Sequence, residues 1–283
     1  MDLRIDHVTI AGRDLEQLTA AFTAAGLPAE YGGTHSNGVT EMSIVGFRDG
    51  SYLELVSTVE PGLESPWWDE PIRRNGGPCA WAVGVDDIAA ATSTVRDRGI
   101  AVDGPAAYER RREDGVLVEW DLTFLGDGDP GSLLPFLISD RTPRNRRVRP
   151  TGDLASAPVS GVDVVIVGVS DLAAAVDRLR TGLDLDAPVR GSVEQLHADV
   201  AVFEDAPVAL ASPRDDGWLA ERLATFGPLP VAYLLGSDPG VTDRFDDLET
   251  GSMAGRRVDW LPLTDPVGRR YLGLVGHAAE AGT

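Results

Sequence analysis

Apolar and polar positions along the chain form short strand-like runs followed by helical patterns, and two of these blocks are nearly identical. Residues 5–15 read IDHVTIAGRDL and residues 162–172 read VDVVIVGVSDL. After its Asp-Leu pair, each block continues into an Ala-rich amphipathic stretch that ends in Gly-Leu. Asp before such a stretch and Gly after it are helix start and stop signals. The pattern predicts a buried strand and a capped helix in each copy.

Two further blocks follow the same pattern. Residues 79–100, CAWAVGVDDIAAATSTVRDRGI, repeat it closely, whereas residues 230–248 give a weaker copy that Pro239 and Gly240 interrupt. Alternating stretches such as TEMSIVGF and SYLELVS lie after the helices and read as strands by their period of two. The chain is therefore predicted to contain four βαβββ units, which makes its fold class α+β.

Length and composition suit two domains. A chain of 283 residues with 43% hydrophobic residues holds two cores at roughly 100 to 200 residues per domain. Units one and two occupy residues 1–145, a solvated Arg/Pro-rich linker occupies 146–157, and units three and four occupy 158–283. The sequence leaves open whether units pair within one chain or exchange between chains of a homodimer. Without a signal segment or an apolar run of roughly 18 residues, we expect a cytoplasmic protein that has no membrane partner.

The charge balance points to an unusual solvent environment. Asp and Glu total 45, all 25 basic residues are arginine, and the net charge is −20. Such a surface repels itself less in concentrated salt, since the Debye length falls to about 3 Å at 1 M. The composition resembles that of proteins from salt-in halophiles. We therefore expect the thermal unfolding midpoint to rise with KCl into the molar range, and a flat or falling midpoint would contradict this. The same field disfavours a nucleic-acid partner.

Several common chemistries have no counterpart in the sequence. Without lysine there is no Gly-rich phosphate loop of the usual kind, and G-x-S-x-G, C-x-x-C and H-E-x-x-H are also absent. The single cysteine, Cys79, excludes an internal disulfide framework and reads as a small buried hydrophobe.

Five motifs occur together in the first 145 residues. They are IDHVTIAGRDL, the GGTH turn at residues 32–35, GSYLELV around Glu54, the segment with Asp114, Gly115 and Trp120, and LLPFLISDR at residues 133–141. Together they resemble the vicinal oxygen chelate superfamily, and within it the glyoxalase-like domain proteins. The resemblance implies two domains with curved, incompletely closed mixed sheets. It also implies a divalent metal on the concave face, where the ion grips two oxygens of a small substrate.

His7 and Glu54 are the main candidate ligands that this resemblance implies. His7 lies on the first strand of unit one, and Glu54 lies on the last strand, where a buried carboxylate needs a metal, a cation or a donor. Such a pair suits divalent Mn, Fe, Ni, Co or Zn. A lone strand histidine is more often structural and a mid-strand glutamate can face water. Their joint occurrence in the family pattern is therefore what favours a shared polar site.

The rest of the implied ligand set is incomplete. Aligning unit two on unit one puts Ala80 at the position of His7, and Phe136 or Leu137 at the position of Glu54. His35, in the glycine-rich turn, is the candidate third ligand, although a loop histidine is commonly solvated or a substrate contact.

The second half keeps even less of the ligand set. Val164 replaces His7, Gly273 stands at the glutamate position, and the VALAS strand at residues 208–212 has no acid. We therefore expect the second half to be a structural partner or to hold a metal-free pocket.

Four residues are candidate substrate contacts by the same resemblance: Trp67, Arg112, Trp120 and Phe136. The Trp67-Trp68 pair forms part of a pocket wall or lid, or it packs a loop over the sheet. Trp120 lies in an alternating strand and equally suits the core.

Two functions from different classes remain open. The first is an enzyme in which His7, Glu54 and His35 hold a divalent ion that chelates a small oxygenated substrate, with Glu54 as a base, for isomerase, lyase or ring-cleaving dioxygenase chemistry. The second is a metal-free protein that uses the same concave face to bind or sequester a small hydrophobic molecule.

Overall fold

The fold is that of a computed structural model, which describes residues 3–112 and 114–276. Unit one contains β1 (Arg4–Ala11), α1 (Leu15–Ala24), β2 (Glu30–Thr34), β3 (Thr40–Gly46) and β4 (Tyr52–Thr58). A short helix, α2 (Asp69–Arg73), leads into unit two. Unit two contains β5 (Gly77–Gly84), α3 (Ile88–Asp97), β6 (Val102–Arg111), β7 (Leu117–Leu125) and β8 (Phe136–Asp140).

The second half repeats this order after a short helix, α4 (Arg144–Arg147). Unit three contains β9 (Val159–Gly168), α5 (Leu172–Leu183), β10 (Val189–Val193), β11 (Ala198–Val202) and β12 (Val208–Pro213), with a 3-10 turn at Glu194–Leu196. After α6 (Trp218–Phe226), unit four contains β13 (Leu229–Ser237), β14 (Glu249–Met253), β15 (Arg256–Trp260) and β16 (Leu272–Gly276). Its helix is reduced to a 3-10 turn at Val241–Asp243, where the sequence pattern is interrupted.

Each pair of units forms one eight-stranded sheet. The strand orders are β2-β3-β4-β1-β5-β8-β7-β6 and β10-β11-β12-β9-β13-β16-β15-β14. In both sheets the first strands of the two units pair antiparallel, and each unit's first strand pairs parallel with its last. The α+β class with two duplicated, curled mixed sheets is confirmed, and each sheet forms within the one chain.

Local sequence signals account for the helix ends. The side chains of Asp14, Asp87 and Asp171 cap α1, α3 and α5 by accepting hydrogen bonds from backbone N–H groups of the first turn. Gly26 and Gly99 follow α1 and α3 with φ of 82° and 80°, a left-handed conformation that favours glycine. None of the helices in the described ranges is long and apolar enough to cross a membrane.

Two hydrophobic clusters each extend across both sheets. Tyr233 on β13 is fully buried, and its hydroxyl lies 2.8 Å from the carbonyl oxygen of Thr9 and 2.9 Å from that of Ala80. Arg222 on α6 donates to the carbonyl oxygens of Gly76 and Pro78, where β5 begins. The second domain therefore contacts the backbone directly behind the central strands of the first.

Candidate functional site

The pairing of β1 with β4 sets the centre of the site. The register is parallel and places His7 beside Tyr52 and Thr9 beside Glu54. The His7 and Tyr52 rings stack with centroids 4.7 Å apart, and the Thr9 hydroxyl donates to Glu54 Oε2 at 3.0 Å. His7 and Glu54 therefore lie on neighbouring strands, offset by two residues, and both are buried on the concave face of the sheet.

A β-bulge brings the side chain of Asp6 to the histidine. The register of β1 against β5 shifts between Ile5 and His7, which breaks the strict alternation of faces along the strand. Asp6 Oδ1 lies 2.7 Å from Nδ1 of His7. A carboxylate at Nδ1 favours the tautomer with a proton there and fixes the ring, which leaves Nε2 as an acceptor.

Arg147 of α4 balances the charge of Asp6. Its guanidinium donates two parallel bonds to the Asp6 carboxylate, at 2.7 and 2.8 Å, and a further bond to Asp140 at 2.6 Å. Burial raises the pKa of Asp6, but the charge and hydrogen bonds of Arg147 outweigh it and hold the pKa well below its usual range. The expected solvated linker is wrong at this residue, since Arg147 is only 4% exposed.

The loop between β2 and β3 places His35 against the glutamate. The side chain of Asn37 accepts from the N–H groups of Val39 and Thr40 at 2.8 and 3.1 Å, a turn that holds the loop closed. His35 Nδ1 lies 2.8 Å from the Thr40 hydroxyl, and Nε2 lies 3.2 Å from Glu54 Oε1. The sequence candidates His35 and Glu54 are therefore direct partners.

The charge state of Glu54 follows from these contacts. Burial alone would raise the pKa of the Glu54 carboxyl. The hydrogen bond and charge of His35 outweigh burial, with smaller effects from His7 and Thr9, and the pKa falls to about 2. Glu54 is thus held ionised at the floor of the cavity.

A cavity of about 350 Å³ opens above these groups. Aromatic rings form one of its walls: the Trp67 and Phe124 centroids are 5.2 Å apart, those of Phe124 and Phe136 6.0 Å, and those of Phe136 and His7 5.3 Å. Trp120, Tyr108 and Trp68 also line it. Such a largely apolar cavity with a few convergent polar groups is typical of small-molecule sites.

Residues 5–178, more than half of the chain, match the family described as glyoxalase-like domain. The chain belongs to the glyoxalase-like domain family. A hypothetical protein from Staphylococcus aureus has the same fold, with a TM-score of 0.66 and 13% identity over 97% of this chain and 99% of that one. A mutant of 4-hydroxymandelate synthase from Streptomyces coelicolor aligns with a TM-score of 0.63 and 12% identity over 100% and 95%. No curated protein sequence matches significantly.

The duplicated units of this glyoxalase-like chain can be compared through their strand pairing. Thr9 pairs with Glu54 as Ala82 pairs with Phe136, so Phe136, not Leu137, occupies the position of Glu54 in unit two. In unit four the corresponding pair is Leu234 and Gly273. Unit two therefore adds an aromatic wall and no further acid.

A divalent metal does not fit the side chains as they lie. No group of three or more His, Cys, Asp or Glu side chains in residues 3–112 and 114–276 is arranged to hold an ion. Both oxygens of Glu54 and both nitrogens of His35 already have protein partners, so among these groups only Nε2 of His7 is left open as a ligand. The metal ligation that the family resemblance implies for these residues stays a prediction.

Among the predicted substrate contacts, Trp67, Trp120 and Phe136 line the cavity, but Arg112 does not. Arg112 lies in the β6–β7 hairpin, pairs with Asp114 at 3.0 Å and lines a neighbouring cleft of about 260 Å³. The arginines that line the cavity are Arg147 and Arg110, and sequence reasoning missed both. The position of Arg110 two residues after Tyr108, on the same face of β6, is the signal that identifies it.

Proposed function

We propose that the chain is an enzyme that acts on a small oxygenated metabolite in the first-domain cavity, with Glu54 and His35 as its acid–base pair. The observation that carries this proposal is the contact of 3.2 Å between Nε2 of half-buried His35 and Oε1 of buried Glu54 at the cavity wall. A carboxylate in a cavity whose pKa is strongly shifted by a specific charged partner is a common feature of catalytic sites.

Glu54 is the base that contacts the substrate, and His35 accepts the proton from Glu54. When Nδ1–H of neutral His35 donates to Thr40, Nε2 is free to accept a proton from the glutamate. The Glu54 carboxylate takes a proton from a carbon beside a carbonyl and passes it to His35, while the electron pair of the broken C–H bond moves to the carbonyl oxygen. Return of the proton regenerates the carbonyl compound. Beside neutral His35, Glu54 lacks the neighbouring charge that lowers its pKa, so its carboxylate is a stronger base in this state.

Proton exchange tests this chemistry without knowledge of the natural substrate. A panel of small 2-oxo acids and hydroxyketones is incubated with the protein in heavy water, and loss of the C–H signal beside the carbonyl is followed by proton NMR. We expect exchange for at least one compound and a fall of at least about 100-fold in Glu54→Gln, the scale of one general base. Glu41→Gln is the matched control, because Glu41 lies on the adjacent strand and bonds Tyr31 instead.

Two results would overturn the acid–base proposal. In the first, the purified protein carries about one Mn, Fe, Ni, Co or Zn ion and a chelator abolishes its proton exchange. This would establish that the enzyme depends on a metal. Tight binding of small molecules without exchange, with or without added metal, would favour the binding or sequestering protein.

A further inference from the structure

Arg110 is a buried cation without an acidic partner. The residue is 4% exposed, and no carboxylate of the described residues lies within 4 Å of it, whereas buried Arg147 is paired with Asp6 and Asp140. Two of its N–H groups donate to the carbonyl oxygens of Gly32 and Arg147. A guanidinium has five N–H donors, so three have no acceptor among the described residues.

The Nε donor of Arg110 is open to a ligand. Arg222, the other buried arginine without a carboxylate, is a useful contrast: it packs on the rings of Trp218 and Phe226, and its Nε is sealed from solvent without a partner. The Nε of Arg110, by contrast, reaches solvent, and the residue lines both this cavity and the neighbouring cleft. Burial of an uncompensated charge is costly, and an anion that enters the cavity would offset that cost.

The surroundings of Arg110 define the rest of the ligand. Tyr108, two residues earlier on β6, continues the aromatic wall, with its ring centroid 5.9 Å from that of Trp67 and 6.4 Å from that of Phe124. An anion beside a wall of rings suits a molecule with one carboxylate and an apolar or aromatic body. The chain has a net charge of −20, so the positive charge of Arg110 is a local feature that attracts the carboxylate end of the ligand to this position.

We propose that Arg110 binds the carboxylate of an aromatic or apolar carboxylic acid whose body lies against Trp67, Tyr108 and Phe124. The inference rests on the proposed function in one respect only, since it places this acid as the substrate on which Glu54 acts. Arg110 is then the residue that selects charged over neutral ligands.

The test compares hydrocinnamate with hydrocinnamamide, a neutral amide of the same shape, by calorimetric titration at fixed KCl concentration. We expect the carboxylate to bind at least about tenfold more tightly than the amide, since hydrogen bonds to charged groups are worth roughly that factor or more. Arg110→Gln should weaken carboxylate binding by about 10- to 100-fold and leave the amide unchanged. Arg112→Gln is the matched control: it removes the same charge from the neighbouring cleft.

Several results would contradict this assignment. Equal affinity for the two probes, or no binding of either at millimolar concentration, overturns it without any variant, so the test does not depend on the folding of Arg110→Gln. An equal loss in Arg112→Gln would place the anion in the cleft and also overturn it. Glu54→Gln should keep carboxylate binding and lose only proton exchange. If Arg110 discriminates the carboxylate from the amide but the protein catalyses no proton exchange, this inference is supported and the proposed function is wrong.

Discussion

Replacement of Arg147 by methionine is expected to lower the free energy of unfolding by about 3 to 5 kcal/mol, the usual cost of breaking a buried ion pair from one side. The change removes the two bonds to Asp6 and those to Asp140. Asp6 would remain buried beside His7 with its main counter-charge gone. Urea unfolding at a fixed KCl concentration measures the loss.

Arg144→Gln is the matched control for this prediction. Arg144 also contacts Asp6, but about a third of its side chain is exposed, so its loss should cost under about 1 kcal/mol. The double variant Asp6→Leu with Arg147→Met should recover much of the stability, because no buried charge is then left unpaired. A single Arg147→Met variant as stable as Arg144→Gln would show that the network contributes little.

The pH dependence of this loss follows from the Asp6 carboxyl. Its pKa in the folded protein is depressed, so its contribution to stability is complete above about pH 4, the unfolded value. The contribution is lost as the pH falls through the lower folded pKa. The difference between the natural protein and Arg147→Met should therefore be full near neutral pH and narrow progressively below about pH 4.

The elements that the sequence predicts well are those with local causes. The cap at Asp14 and the stop at Gly26 are decided within one turn of α1, and they lie where the pattern predicted them. The repeat itself predicts four βαβββ units, because equivalent segments carry the same pattern, and the two sheets that these units form have equivalent strand orders. The sequence does not decide whether Phe136 or Leu137 occupies the position of Glu54 in unit two, because only the β5–β8 register determines it.

The parts of the site that the sequence missed depend on contacts between distant residues. In the sequence, Arg147 is one of several arginines in a polar stretch. It becomes buried only because α4 packs against the β-bulge at Asp6. Arg110 lies on β6 and Arg112 just beyond its end; both line the neighbouring cleft, but only Arg110 also lines the aromatic cavity. Periodicity assigns a residue to a face, whereas the end of a strand and the depth of a cavity are tertiary properties.

A glutamate at Gly273 is expected to unfold the protein at room temperature. Gly273 holds in unit four the place of Glu54 in unit one, but the concave face there is filled by side chains. A Cβ at this residue would lie 2.7 Å from Val258 Cγ1 and 2.8 Å from Leu234 Cδ2. Gly273→Ala should therefore cost about 1 to 3 kcal/mol by overpacking, and Gly273→Glu adds several kcal/mol for a buried charge without a partner.

Gly276→Ala separates this effect from a general cost of removing glycine. Gly276 ends the same strand, and no atom of residues 3–112 and 114–276 lies within 4 Å of a built Cβ there, so its replacement should change stability by less than about 0.5 kcal/mol. Thermal unfolding of the two alanine variants makes the comparison, and equal midpoints would mean that the second concave face has room. Unequal midpoints would show that Val258, Leu234 and Trp260 occupy the space that the first domain leaves open above Glu54. A glutamate introduced at Gly273 would then contact packed side chains. A polar site in the second domain would therefore also require smaller side chains at the surrounding core positions.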